Sequence, residues 1–177
     1  FGEAEGEQAW IGIWQGSSKR TFWCSPANLD RAAAQAERWS HDGADVYVDV
    51  AVFRFAEQPL PTTRGSELDV GALVGLWIDA DIAGPGHVNQ NLPATIEEML
   101  QALEAYPLRP TLVVNSGHGV HCWWLFKEPW EINGIEDQAR AKTFMLEFQE
   151  GIRNLIFAQH GWHMDNTADL ARCLRLP

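Results

Sequence analysis

Residues 71–82 read Gly-Ala-Leu-Val-Gly-Leu-Trp-Ile-Asp-Ala-Asp-Ile: eight apolar positions, then two aspartates one residue apart. An unbroken apolar run of this kind, with no helical period, belongs to a strand covered on both faces. The chain must therefore build a sheet with this strand inside it. Side chains alternate along a strand, so Asp79 and Asp81 share a face. Two carboxylates side by side in an apolar strand repel each other and lose hydration. A divalent cation relieves both costs, and hard oxygen donors select Mg²⁺ or Mn²⁺. Such strand-borne pairs serve two-metal phosphoryl-transfer sites. A strand end running out into solvent gives the same pattern, since a Gly-Pro-Gly loop follows at 84–86.

A second stretch bears on this choice. Residues 112–124, Leu-Val-Val-Asn-Ser-Gly-His-Gly-Val-His-Cys-Trp-Trp, set a polar glycine turn between two apolar strands. Gly117 and Gly119 leave backbone N–H groups open to approach, the chemistry of a phosphate-holding nest. Ser116 adds a hydroxyl and His118 a hydrogen-bonding or positive group. His121, two residues past Gly119 on the next strand, faces the side of the turn and offers an imidazole to phosphate oxygens. A plain tight hairpin with partly buried histidines is the other reading, and it weakens beside the aspartate pair. Ser116 lies in no G-x-S-x-G elbow, and His118 and His121 lack the helix that gives H-x-x-H zinc spacing its bite.

The rest of the pattern alternates strands with helices. Residues 9–16 and 19–25 form a hairpin around Gly16-Ser17-Ser18, and a helix capped at Asn28 follows. Residues 44–55 read as one strand and 56–66 as a proline-rich loop. The stretch 84–93 is a loop, 94–106 a helix, and 136–160 a long amphipathic helix. A short final helix is expected over 167–175. The class is α+β. Of the nine tryptophans, Trp10, Trp14, Trp23, Trp123 and Trp124 fall in strands, where packing in the core outweighs stacking on bases. Arg64 and the Lys19-Arg20 turn are candidates for touching template or nucleotide.

Composition excludes several classes. At 177 residues, 46% hydrophobic and 21% charged, the chain is one globular domain long, with no low-complexity tract. No apolar run approaches the roughly 20 residues of a membrane helix. Cys24, Cys122 and Cys173 show no metal or disulfide spacing and suit a reducing, cytoplasmic location. The chain starts at Phe1 and reads as a piece of something longer. A net charge of −11 is the wrong sign for gripping nucleic acid over a whole surface, so any polyanion is held locally.

The C-terminal stretch supplies local charge. Asp165 and Asp169 precede Arg172 and Arg175. On a helix, Asp169 and Arg172 pair while the two arginines share a face, ready to hold phosphates bidentately. A solvated helix with surface ion pairs is the plainer reading of that stretch taken alone.

Taken in order, the three segments resemble the catalytic core of the archaeo-eukaryotic primases, the AEP or primase-polymerase superfamily, in its plasmid- or phage-type branch. The first family motif is an apolar strand ending in two acidic residues, here Asp79 and Asp81. The second is a glycine turn leading to a strand with a histidine, here Ser116 to Trp123 with His121 as the motif residue. The third is an aspartate followed by a basic stretch ending in Leu-Pro. Asp165 matches it, with Arg172 and Arg175 in the stretch and Asp169 as rival. The resemblance covers about residues 73–177. His118 stands where cellular primases tend to carry a basic residue, and the family's zinc-binding insertion has no counterpart.

The resemblance implies a palm like an RNA-recognition-motif fold over residues 71–177, packed on an N-terminal α/β module over 1–70, with the site in the groove between them. It implies template-directed nucleotidyl transfer from dNTPs or NTPs on single-stranded DNA, with de novo primer synthesis as an extension. Asp79, Asp81 and Asp165 would hold Mg²⁺ or Mn²⁺. Ser116, Gly117, His118, His121, Arg172 and Arg175 would bind the nucleotide. A fused or associated helicase or other replication domain is the implied partner. Two rivals use parts of the pattern: another palm-type nucleotidyl transferase or cyclase, and a catalytically idle nucleic-acid-binding replication subunit. A scaffold has no need of three carboxylates, a histidine and two arginines together.

Overall fold

The computed structural model describes residues 8–84 and 91–177. The N-terminal hairpin forms as expected from β1 (Gln8–Gln15) and β2 (Arg20–Cys24), in register from Ile11 opposite Cys24 to Gln15 opposite Arg20. Helix α1 (Leu29–His41) follows a 3₁₀ turn at Pro26–Asn28. The cap differs from expectation: Asn28 makes no side-chain capping bond, and the Ser25 hydroxyl caps the turn by accepting from the Ala27 N–H.

The strand expected over 44–55 is two strands, β3 (Val46–Asp49) and β4 (Ala51–Phe55). The break at Val50 lets them serve different partners. β3 pairs with residues 13–15 of β1, and β4 with residues 8–10 of β1 and with the start of β5 (Val70–Asp81). Helix α2 (Ile96–Leu103), strands β6 (Leu112–Asn115) and β7 (Gly119–Glu131), and helix α3 (Ile135–His160) come next. The loop expected over 84–93 falls largely on 85–90, outside the described residues.

The final helix does not form. Its residues make strand β8 (Cys173–Arg175), antiparallel to β3 with Leu174 opposite Val48. Leu170 and Leu174 suit the buried side of a helix or alternate positions of extended chain equally well. Pairing along β3, with Leu174 2% exposed, decides for the strand. The arrangement of Asp169, Arg172 and Arg175 that a helix would have given is therefore absent.

The chain gathers into two compact units. The first takes residues up to Val74, then Glu128–Ala141 and Asp169–Leu176; the second takes Gly75–Lys127 and Lys142–Ala168. In the first, the start of β5 is followed by β4, β1, β3 and β8, with β2 also on β1. Helix α1 covers one face of this sheet, where Ile13, Cys24, Ala32 and Val46 form a core with Phe22, Trp39, Val48 and Leu176 packed on it. In the second, the strand order is β6, β7, β5. Its core holds Trp77, Ile78, Met99, Val120, Cys122, Met145, Ile152 and Ile156, each at most 1% exposed. The core reading of the strand tryptophans holds for Trp10, Trp23, Trp123 and Trp124, all buried; Trp14 is half-buried. No helix among the described residues is long and apolar enough to cross a membrane.

Candidate active site

The second unit brings the first two motifs together. Gly119 opens β7 directly against β5: a Cβ there would land on the carbonyl oxygen of Ala80 and crowd the Cα of Asp81. Only a hydrogen lets the two backbones approach this closely. The Ile82 N–H donates to the His118 carbonyl at 3.1 Å, which draws the glycine turn to the end of the aspartate strand. Because the clash is with backbone, Gly119→Ala is expected to destabilise by about 3 kcal/mol. Thermal or urea unfolding checks this, and an unchanged midpoint would rule out the close approach.

Asp79 and Asp81 are half-buried on either side of the buried Ala80, as the strand alternation requires. His121 follows Gly119 on the same face of β7, and its Nε2 lies 3.4 Å from Oδ1 of Asp79. Its side chain is 5% exposed against 27% for Asp79, so the imidazole forms the inner wall and the carboxylate the open one. Cys122, next in sequence, alternates to the other face of β7, and burial pushes its thiol up to about 12. The donors gathered here are carboxylate oxygens, which fit a hard divalent cation completed by water or phosphate oxygens. Among the described residues no three or more His, Cys, Asp or Glu side chains converge as a metal cluster. Asp79 and Asp81 share one face of β5, and among the described residues Asp165 is not clustered with them.

The turn is built differently from an open nest. Gly117 takes φ +85°, the left-handed region that glycine enters without strain, and its N–H is occupied by Oδ1 of Asn115 at 2.9 Å. The Ser116 N–H donates to the Gly119 carbonyl at 3.0 Å, closing the hairpin. Ser116 is half-buried and His118 exposed beside it. The two glycines thus have separate tasks: Gly117 shapes the turn, and Gly119 lets the strands touch.

Asp165 lies exposed on an irregular segment after α3. Two residues on, Thr167 is anchored in the core. Its N–H donates to Oε1 of Gln149 at 3.0 Å, and its carbonyl accepts from the Trp77 indole at 3.0 Å. Gln149, 1% exposed, also donates to the Trp77 carbonyl at 2.9 Å. The segment carrying Asp165 is thereby tied to β5 two residues before Asp79. Sequence reading missed Gln149. The available signal was an amide on the buried side of α3, beside Met145, Phe148 and Ile152.

The remaining candidates belong to the first unit. Asp169 closes a turn, accepting at Oδ1 from the Ala171 N–H and at its carbonyl from the Arg172 N–H, both at 3.0 Å. The Arg172 carbonyl accepts from the Val50 N–H at 3.0 Å. Arg175 pairs with Asp45 at 2.5 Å and lies over the Tyr47 ring. Behind β8, Asp49 is enclosed against Gly12, where a Cβ would collide with its carboxylate. Burial raises this carboxyl to about 7, against the pull of Arg64 and a hydrogen bond from the Gly12 N–H.

No protein-family profile matches the sequence, and no curated protein matches it. Among solved structures, the chain is similar to the AEP domain of the primase-polymerase (PrimPol) of cyanophage S-2L. The TM-score is 0.55 and the identity 14%, over 96% of this chain and 72% of that one. At that identity the likeness is one of fold: the chain has an AEP-like α+β fold.

Proposed function

We propose that this chain is a primase-polymerase catalytic domain that carries out template-dependent nucleotidyl transfer from dNTPs or NTPs on single-stranded DNA. The observation that carries the reading is the Asp79–Asp81 pair on β5 with His121 of β7 at 3.4 Å from Asp79, on an AEP-like fold. In this reading the second unit is the palm, of the plasmid- or phage-type branch. Asp79 and Asp81 hold Mg²⁺ or Mn²⁺, with Asp165 as the third carboxylate. Bound there, the cation supplies the Lewis acidity that favours a 3′ alkoxide and offsets charge on the phosphates. His121, fixed against Asp79, donates to a phosphate oxygen, and Ser116 and His118 orient the nucleotide from the turn that Gly117 shapes. Arg172 is the arginine of the C-terminal stretch offered to the β and γ phosphates, while Arg175 is engaged by Asp45 and Tyr47.

Labelled dNTPs and NTPs offered on single-stranded DNA, with and without primer, in Mg²⁺ or Mn²⁺, test the proposal. Extension products that require the metal and the template are expected, and the unprimed lanes report chain initiation. Cyclised or template-free product would point to the cyclase-like rival. Metal-independent binding without any product would leave the idle-subunit reading.

A further inference from the structure

The face of the first unit's sheet opposite α1 has a different chemistry. Trp14 of β1 stands directly opposite Tyr47 of β3, and Asp49 opposite Cys173 of β8, so these side chains and Arg175 share that face. Trp14 and Tyr47 are half-buried, with ring centroids 5.1 Å apart. The exposed Arg64 lies over Trp14 at 4.8 Å, and Arg175 over Tyr47 at 5.8 Å. Both guanidinium groups are held from behind. Arg64 donates to the Cys173 sulfur at 3.0 Å and feels the Asp49 carboxyl, while Arg175 pairs with Asp45. The β1–β2 turn borders the pair of rings: a Cβ on Gly16 would touch Tyr47 at 3.3 Å and Trp14 at 3.5 Å. Exposed Lys19 ends that turn, while Arg20, opposite Gln15, falls on the α1 side of the sheet. In a chain of net charge −11, cations and aromatic rings are thus concentrated at one place.

Two neighbouring rings, tilted 53° to each other and flanked by two guanidinium groups, offer stacking surfaces for unpaired bases, and fixed cations beside them suit the phosphates between those bases. A duplex has no free base faces to place there. We infer that this face binds single-stranded nucleic acid, stacking one or two bases on the Arg64–Trp14–Tyr47 tier with Lys19 against the backbone. This deepens the proposed function by naming where a template strand is held. It is independent of the metal carboxylates.

The test is fluorescence anisotropy of a labelled oligo-dT with the whole chain in EDTA, which removes any metal-dependent contribution. Trp14→Ala with Tyr47→Ala is expected to weaken binding about 30-fold or more, and Trp14→Phe to restore most of the Trp14 share. Lys19→Glu sits on an exposed turn and leaves the core intact. It is expected to weaken binding and to flatten the slope of log affinity against log salt, by about 0.7 for each phosphate no longer neutralised. If the aromatic variant melts early, the turn variant decides. Unchanged affinity and salt slope in variants that melt like wild type would overturn the inference. So would wild type that ignores oligo-dT but binds a polyglutamate peptide at this face. Nucleotide incorporation is scored separately. Incorporation with variant-insensitive binding sinks only the platform, and platform-dependent binding without incorporation sinks only the transferase reading.

Discussion

Asp79→Asn combined with Asp81→Asn is expected to abolish metal-dependent nucleotide incorporation, by about 10³-fold or more, while leaving the fold intact. The two carboxylates are the hard donors that β5 places on one face, and nothing else in the second unit is clustered to replace them among the described residues. A 10³-fold loss corresponds to about 4 kcal/mol of transition-state stabilisation. Stability moves the other way or not at all. Neutralising two like charges at the end of an apolar strand removes repulsion and desolvation cost, and an asparagine at 79 still offers His121 an acceptor. The informative comparison is incorporation rate beside melting temperature. Product within tenfold of wild type from a folded double variant would reject the carboxylate pair as the catalytic centre. Asp165→Asn and Asp169→Asn, run in parallel, identify the third carboxylate, and Asp165 is expected to carry the larger loss.

Asp49→Asn is expected to change the pH dependence of stability by about as much. The Asp49 carboxyl rises from its ordinary 3.8 to about 7 because burial disfavours its charge, and Arg64 only partly offsets this. A carboxyl raised in the folded state binds a proton there that the unfolded chain has already released between pH 4 and 7. Stability therefore falls as pH rises through that window and levels off above it. At about 1.4 kcal/mol per pH unit the cost reaches about 4 kcal/mol above pH 7. Asparagine has no such titration. Urea unfolding of both proteins at pH 4.5, 6 and 8 should show the variant gaining on wild type step by step. Parallel curves would mean that Asp49 is ionised throughout, its charge met fully by Arg64.

The two halves of the candidate site differed in how far the sequence revealed them. Asp79, Asp81 and His121 were legible because their geometry is local: two-residue spacing on a strand fixes a common face, and the glycine turn joins β6 to β7 whatever surrounds it. The C-terminal stretch was not. Leu170, Arg172, Leu174 and Arg175 satisfy a helical and an extended pattern alike, and only the open edge of β3 selects the strand. Likewise the break at Val50 and the enclosure of Asp49 depend on partners distant in sequence, Arg172 and Gly12 among them. Gln149 looked like an ordinary helix residue until Trp77 and Thr167 closed around it.

By itself, then, the sequence determined the periodicities: a buried strand ending in paired carboxylates, a glycine hairpin with its histidine, a long helix and a mixed α+β class. These follow from backbone geometry within a dozen residues. Tertiary structure decided which side chains meet. It set Gly119 against Ala80, His121 beside Asp79, Gln149 beneath the Asp165 segment, and Arg64 over Trp14. Such contacts are chosen by packing and by the need to satisfy buried polar groups across the whole chain, and no local pattern encodes them.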